Sequence, residues 1–150
     1  MQELGPAECR AKAIELLARR EHSVRELSLK LQQRDFNSAL IDEVLGVLQN
    51  ERLLSDERFA EEYIRARSNK GIGPLRLRQE LAERGVSSEL SDCFLDDGDW
   101  PQRVVDVRVK KFGSVLPTDF KDRAKQTRFL QYRGFTAEQI RLAINNDDWE

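Results

Sequence analysis

One histidine, one methionine and two cysteines occur among 150 residues, and no apolar run approaches the roughly 20 residues needed to cross a bilayer. A single histidine, His22, next to a predicted helix start, leaves a histidine-based triad or a ligand-spaced metal site nothing to build on. Cys9 and Cys93 lie far apart, each in a helical pattern. They read as buried or half-buried thiols of a reduced cytosolic protein and not as a disulfide framework. No charged-then-apolar leader precedes the first helix. Acids cluster at Asp96-Asp97 with Asp99 and at Asp147-Asp148, in a turn and a tail where solvation and helix capping account for them. No nucleophile, base and orienting group converge, so the expectation is a cytoplasmic protein without catalytic residues, bound metal or cofactor.

What the chain has in quantity is charge. Charged residues make up 35% and hydrophobic ones 39%, where about 25% charged is usual for globular proteins. So much surface for so little core suits an elongated array of small units, each touching its neighbours, better than a compact globule. The net charge of −2 gives no overall case for nucleic acid, but the charges are segregated. Between Tyr63 and Gln79 stand Arg65, Arg67, Lys70, Arg76 and Arg78 with no acid. Between Arg103 and Arg133 nine basic residues face Asp106, Asp119 and Asp122. Segregation of this kind makes positive surface on a slightly acidic protein.

A short motif recurs three times: Leu-x-x-Arg, then Asp or Gly, then an apolar residue. It stands at Leu31-Arg34-Asp35-Phe36, at Leu81-Arg84-Gly85-Val86 and at Leu130-Arg133-Gly134-Phe135, at spacings of 50 and 49 residues. Each copy leads into another helical run, with Val44 and Leu45, Phe94 and Leu95, or Ala143 and Ile144 in step. A period of this size with helices on both sides of a turn predicts stacked helical repeats. Gly or Asp at the turn fits a helix ending in a left-handed residue.

The pattern predicts an all-α chain of three tandem three-helix repeats, 1–54, 55–98 and 99–150, in an elongated, curved array. In the first repeat a helix starts near Ala7, Ser23 and Glu26 form a capping box for the second, and residues 35–38 cap the third. In the second repeat Gly73-Pro74 matches Ser23-Val24, and Leu77 and Leu81 match Leu27 and Leu31. In the third, Val104, Val105, Val107 and Val109 make a strand the local rival, but the repeat favours helix. Thr118 is read as the cap of the next helix, Gln126 replaces the leucine of the other two copies, and Thr136 with Gln139 makes a further capping box. The polar tail ends the chain, with Trp149 able to dock.

Arg65, Arg67, Lys70, Arg76 and Arg78 form the first candidate binding surface. Lys110, Lys111, Lys121, Arg123, Lys125 and Arg128 form the second. A solvated face with local pairs such as Arg76 with Glu80 is the bland alternative. Gly71-Ile72-Gly73 lacks the strand, third glycine or Gly-Lys-Ser of a phosphate loop and reads as a structural turn. Arg34, Arg84 and Arg133 are expected to brace the repeat through helix C-termini or aromatic stacking, and Tyr63, Tyr132, Phe129 and Phe135 to sit in the core.

Asp56-Glu57-Arg58-Phe59-Ala60, the run from Arg65 through Lys70-Gly71-Ile72-Gly73-Pro74, Arg76-Leu77-Arg78-Gln79-Glu80-Leu81 and Gly85-Val86 resemble the central signature of RecX, the bacterial regulatory protein of the RecA recombinase. Lys111-Phe112-Gly113 and the stretch 128–135 are similar to that family as well, although Ile72 stands where an aromatic is expected. The resemblance covers nearly the whole chain. It implies a monomer without enzymatic activity that lies in the groove of the RecA–DNA filament and inhibits strand exchange and ATP hydrolysis, within regulation of DNA repair and the SOS response. It also implies basic residues of the second and third repeats against filament and DNA. A stand-alone helix-turn-helix DNA-binding module is the second reading, and a carboxylate-dependent nuclease the third.

Overall fold

The computed structural model describes residues 4–145. Asp147 and Asp148, read above as solvated acids of the tail, and Trp149, read as able to dock, lie outside the described residues. The described chain holds nine helices and no strand: α1 Pro6–Arg19, α2 Val24–Gln32, α3 Ser38–Asn50, α4 Asp56–Asn69, α5 Pro74–Glu83, α6 Ser88–Leu95, α7 Trp100–Phe112, α8 Phe120–Arg133 and α9 Ala137–Asn145. They form three three-helix domains in tandem. The valine-rich segment is helical, as the repeat requires of it, with Val104 fully buried.

The recurrent motif has one physical meaning in all three copies. Leu31, Leu81 and Leu130 are each 0% exposed, and the residue after them in left-handed conformation is Asp35, Gly85 or Gly134, with φ of 67°, 81° and 100°. The next apolar residue then returns its N–H to the leucine carbonyl: Phe36 to Leu31 at 3.3 Å, Val86 to Leu81 at 3.0 Å and Phe135 to Leu130 at 3.2 Å. This six-to-one bond is the Schellman closure, which satisfies an orphan carbonyl at the helix end and carries Phe36, Val86 and Phe135 into the core.

The chain packs into two compact units, Met1–Glu62 with Leu81–Leu90 and Tyr63–Glu80 with Ser91–Glu150, which do not follow the repeat boundaries. The reason lies in what each helix-ending turn touches. In the first unit, Ser23 caps α2 by accepting from the Glu26 N–H at 3.0 Å and donates its own hydroxyl to the Arg84 carbonyl at 2.7 Å. The turn at Arg84-Gly85 is thereby pinned to the start of α2, and a Cβ on Gly85 would stand 2.7 Å from Cβ of Arg25. In the second unit the equivalent contact is backbone on backbone. The Gly73 N–H donates to the Arg133 carbonyl at 2.7 Å and the Leu75 N–H to that of Gly134 at 2.9 Å. A Cβ on Gly73 would lie 2.6 Å from the Gly134 carbonyl carbon, and one on Gly134 2.3 Å from Cβ of Arg76.

Two details depart from the sequence reading. Asp119, and not Thr118, caps α8, accepting from the Asp122 N–H at 2.7 Å. Cys93 is exposed while Cys9 is buried. The capping boxes at Ser23–Glu26 and Thr136–Gln139 both form.

His22 is 1% exposed, behind the start of α2. Its Nε2 accepts from the Lys30 ammonium at 2.8 Å, which leaves the proton on Nδ1 to be donated to the Arg20 carbonyl at 3.0 Å. Burial holds the imidazole below its ordinary value, against the pull of the Arg20 carbonyl, and the charges of Arg20 and Lys30 lower it further. The folded state therefore keeps His22 neutral, while the unfolded chain takes a proton near 6.5. Stability is fully present above that pH and falls as the pH drops through it. Below pH 6.5 wild type is expected to lose stability more steeply than His22→Gln, by at most about 1.4 kcal/mol per unit, and urea titrations of the two proteins across this range check it.

Gln126 is 3% exposed at the position where the other domains bury Leu27 and Leu77 completely. Among the described residues its Oε1 has no hydrogen-bond partner, and neither does Nε of the buried Arg108 in the same unit. A buried carbonyl without a donor destabilises by about 1–3 kcal/mol. Gln126→Leu is expected to raise the unfolding free energy by about 1 kcal/mol. A fall in the denaturation midpoint would show that the amide serves a contact other than packing.

Candidate basic interface

All eleven residues of the two predicted basic surfaces fall in the second compact unit. The structure divides them differently from the sequence. Arg67 and Arg76 converge on one carboxylate, that of Glu80. Its Oε1 accepts from Arg67 Nε at 3.1 Å and from the Tyr63 hydroxyl at 2.7 Å, and its Oε2 from Arg67 Nη2 and Arg76 Nε, both at 3.0 Å. Partial burial alone would raise the Glu80 pKa, but the hydrogen bonds from Arg67, Tyr63 and Arg76 and the charge of Arg67 overcome it and bring the group down to about 2. The carboxylate stays ionised throughout the physiological range, and the cluster keeps one net positive charge. Arg78 is paired with Asp92 at 3.1 Å. Arg65 and Lys70 are exposed and form no ion pair among the described residues.

The acid-free run thus acquires acids from just beyond its end: Glu80 and Asp92 come back onto three of its five cations. The Arg76–Glu80 pair follows from four-residue helical spacing. The Arg67–Glu80 pair needs α4 folded against α5 and carries no signal in the linear pattern.

Lys70 meets Lys110 and Lys111 in a cleft of about 390 Å³ formed by the end of α4, by α7 and by α8. Arg103 and Arg133 line it too, with Phe129 and a single acid, Asp106, whose carboxylate accepts from Gln102 at 2.9 Å. Arg103 reaches Asn69 Oδ1 at 3.3 Å, and Arg133 donates to the Lys70 carbonyl at 3.1 Å, tying α8 to the end of α4. Arg133 lies 5.0 Å from the Phe129 ring centroid and Lys111 5.5 Å, while Phe112 meets the same ring edge-on at 5.3 Å. Phe129 therefore acts as a platform that holds two cations at the cleft wall through its ring face. The bracing role expected of Arg133 is observed, through both a helix C-terminus and a ring. Five cations against one acid in a concave, partly apolar site favour an anion such as a phosphate or carboxylate.

Sequence reasoning put Lys70 in one basic surface and Lys110 and Lys111 in another, did not single out Arg103, and gave Arg133 only a bracing role. The signal for both was the helical step: Arg103, Lys110 and Lys111 return at intervals of seven and eight on α7, and Arg133 follows Phe129 by four on α8. Arg123 and Arg128 face a different groove, lined by α8 and α9, and Lys121 and Lys125 stand exposed on α8. Tyr132, expected in the core, is 75% exposed, with Arg76 5.2 Å from its ring centroid. Ile72, at the position where an aromatic was expected, is 5% exposed and fills a core place. Among the described residues no group of three or more His, Cys, Asp or Glu side chains could hold a metal ion, and no helix is long and apolar enough to cross a membrane.

Family models match all three repeats: the first three-helix domain of RecX over residues 9–48, the second over 55–93 and the third over 100–144. The chain is 44% identical over 147 residues to the regulatory protein RecX of Halorhodospira halophila, covering 95% of this chain and 91% of that protein. It is 44% identical over 145 residues to the RecX of Pseudomonas entomophila, covering 95% and 94%. The crystal structure of RecX from Lactobacillus salivarius superposes with a TM-score of 0.81 over 97% of both chains at 19% identity, a likeness of fold. With three domain matches in order and relatives of this identity along nearly its full length, the chain belongs to the RecX family of regulatory proteins.

Proposed function

We propose that this protein binds the filament formed by RecA on DNA, within the filament groove, and so inhibits strand exchange and ATP hydrolysis. It does this in the cytoplasm as a monomer, by contact and without covalent chemistry. The observation that carries the reading is the cleft of Lys70, Arg103, Lys110, Lys111 and Arg133 on a chain of this family. These cations have a single acid, Asp106, among them, so their field is available to a polyanion. In this reading the second and third domains, 55–98 and 99–150, carry the contact surface. The cleft takes DNA phosphates, and Arg65 with the Glu80 cluster meets acidic protein surface beside it.

Lys110 and Lys111 are exposed at the last turn of α7, where reversal of charge leaves the core untouched. The double variant Lys110→Glu/Lys111→Glu is expected to bind RecA–DNA filaments at least about tenfold more weakly, a loss of about 1.4 kcal/mol. It should also relieve inhibition of the RecA ATPase at unchanged helicity. If both lysines touch phosphate, the slope of log affinity against log salt falls by about 2 in the variant. Equal affinity and equal slope would remove the cleft from the interface. Mobility-shift measurements with and without RecA complete the test, because tight sequence-selective binding to duplex DNA without the recombinase favours a free-standing helix-turn-helix module instead.

A further inference from the structure

Helix α8 has two working faces. Phe129 and Arg133 line the basic cleft, whereas the opposite face of the helix lines a separate groove of about 440 Å³ completed by α9. Its apolar lining is made by Phe120, Ala124, Ile140 and Ile144. Phe120 is 86% exposed, among the most exposed large hydrophobic side chains of the described chain. Among the described residues the charged side chains lining the groove are those of Arg123, Arg128 and Arg141, and none of the three forms an ion pair with another described residue. The nearest polar contact is a long one, Arg123 Nε to the Pro117 carbonyl at 3.5 Å.

The apolar lining and the cations that the described residues place around it specify an occupant with two properties. It carries an aliphatic or aromatic side chain to cover the isoleucines and Phe120, and carboxylates around that anchor for the guanidinium groups, which pair with them bidentately. A polynucleotide supplies negative charge and can stack a base on Phe120, but it carries no aliphatic side chain to cover Ile140 and Ile144. We infer that this groove binds an acidic peptide segment of a partner protein, with one apolar anchor seated between α8 and α9. The inference does not depend on the filament reading, because it uses residues outside the basic cleft.

A short fluorescein-labelled peptide of aspartates and glutamates around one phenylalanine is the probe, read by fluorescence anisotropy on the full chain at low salt. Wild type is expected to bind it, and the same peptide with serine for phenylalanine to bind about tenfold more weakly. Arg123→Glu/Arg128→Glu and, separately, Phe120→Ser should each lower affinity about tenfold with circular dichroism unchanged. No binding, equal binding of the serine peptide, or displacement of the probe by a single-stranded oligonucleotide that depends on Arg123 and Arg128 would overturn the proposal. Residues 146–150 follow directly on Asn145, which lines the groove, and include Asp147, Asp148 and Trp149. A probe that binds only after their deletion would make the chain's own end the occupant and overturn the partner reading.

Discussion

Two backbones can come within hydrogen-bonding distance at a helix end only where side chains leave room, and that constraint shapes this molecule. In each compact unit the left-handed turn that closes one helix is pressed onto the first turn of another: Arg84-Gly85 on Ser23 and Arg25, and Arg133-Gly134 on Gly73 and Arg76. The contact explains a pattern that looks arbitrary in the sequence. Positions 85 and 134 are glycine because an arginine Cβ lies against each of them. Position 35 has the same left-handed conformation with aspartate, which tolerates it and whose Cβ the fold already accommodates. The contact also explains why compactness does not respect the repeat. The end of α5 and its turn are held by residues of the first repeat, so the units are cut through helices and not at linkers.

The same contact builds the functional surface. Arg133 sits in the turn: its carbonyl accepts from Gly73, its guanidinium donates to the Lys70 carbonyl, and its plane lies near Phe129. Lys70 and Gly71 are thereby brought to the wall formed by α7. Nearby, Glu80 gathers Arg67, Arg76 and Tyr63 into a half-buried cluster that consumes part of the positive charge. Positive surface here is what remains after structural pairing, and it is concentrated on the residues that α4, α7 and α8 hold apart from acids.

Most of the fold could be read from residues. Apolar spacing, the capping boxes at Ser23 and Thr136, and the threefold motif marked the helices and their order, because these signals are local and their physics is short-range. Even the substitution of Gln126 for leucine announced a different contact, and a buried amide oxygen without a partner is what stands there. The candidate surface was less readable. A linear count of charges cannot see Glu80 closing on Arg67 from the next helix, nor Asp92 on Arg78, and it treats the 110–128 cations as one patch. Lys110 and Lys111 face one site, Arg123 and Arg128 another, because α7 and α8 present different faces. Tyr132 shows the same limit: helical spacing alone put it in the core, but the core side of α8 is already filled by Leu130.

The dependence of fold and site on the turn-to-helix contact is tested most directly by equilibrium unfolding of Gly134→Ala and Gly85→Ala beside Asp35→Ala. All three changes place alanine in a left-handed position, which costs about 1 kcal/mol relative to glycine and less relative to Asp35, which already carries a Cβ there. Only the two glycine positions add the collision with Arg76 or Arg25. The account predicts that both glycine variants lose at least about 2 kcal/mol more than Asp35→Ala. Equal losses at all three positions would contradict it.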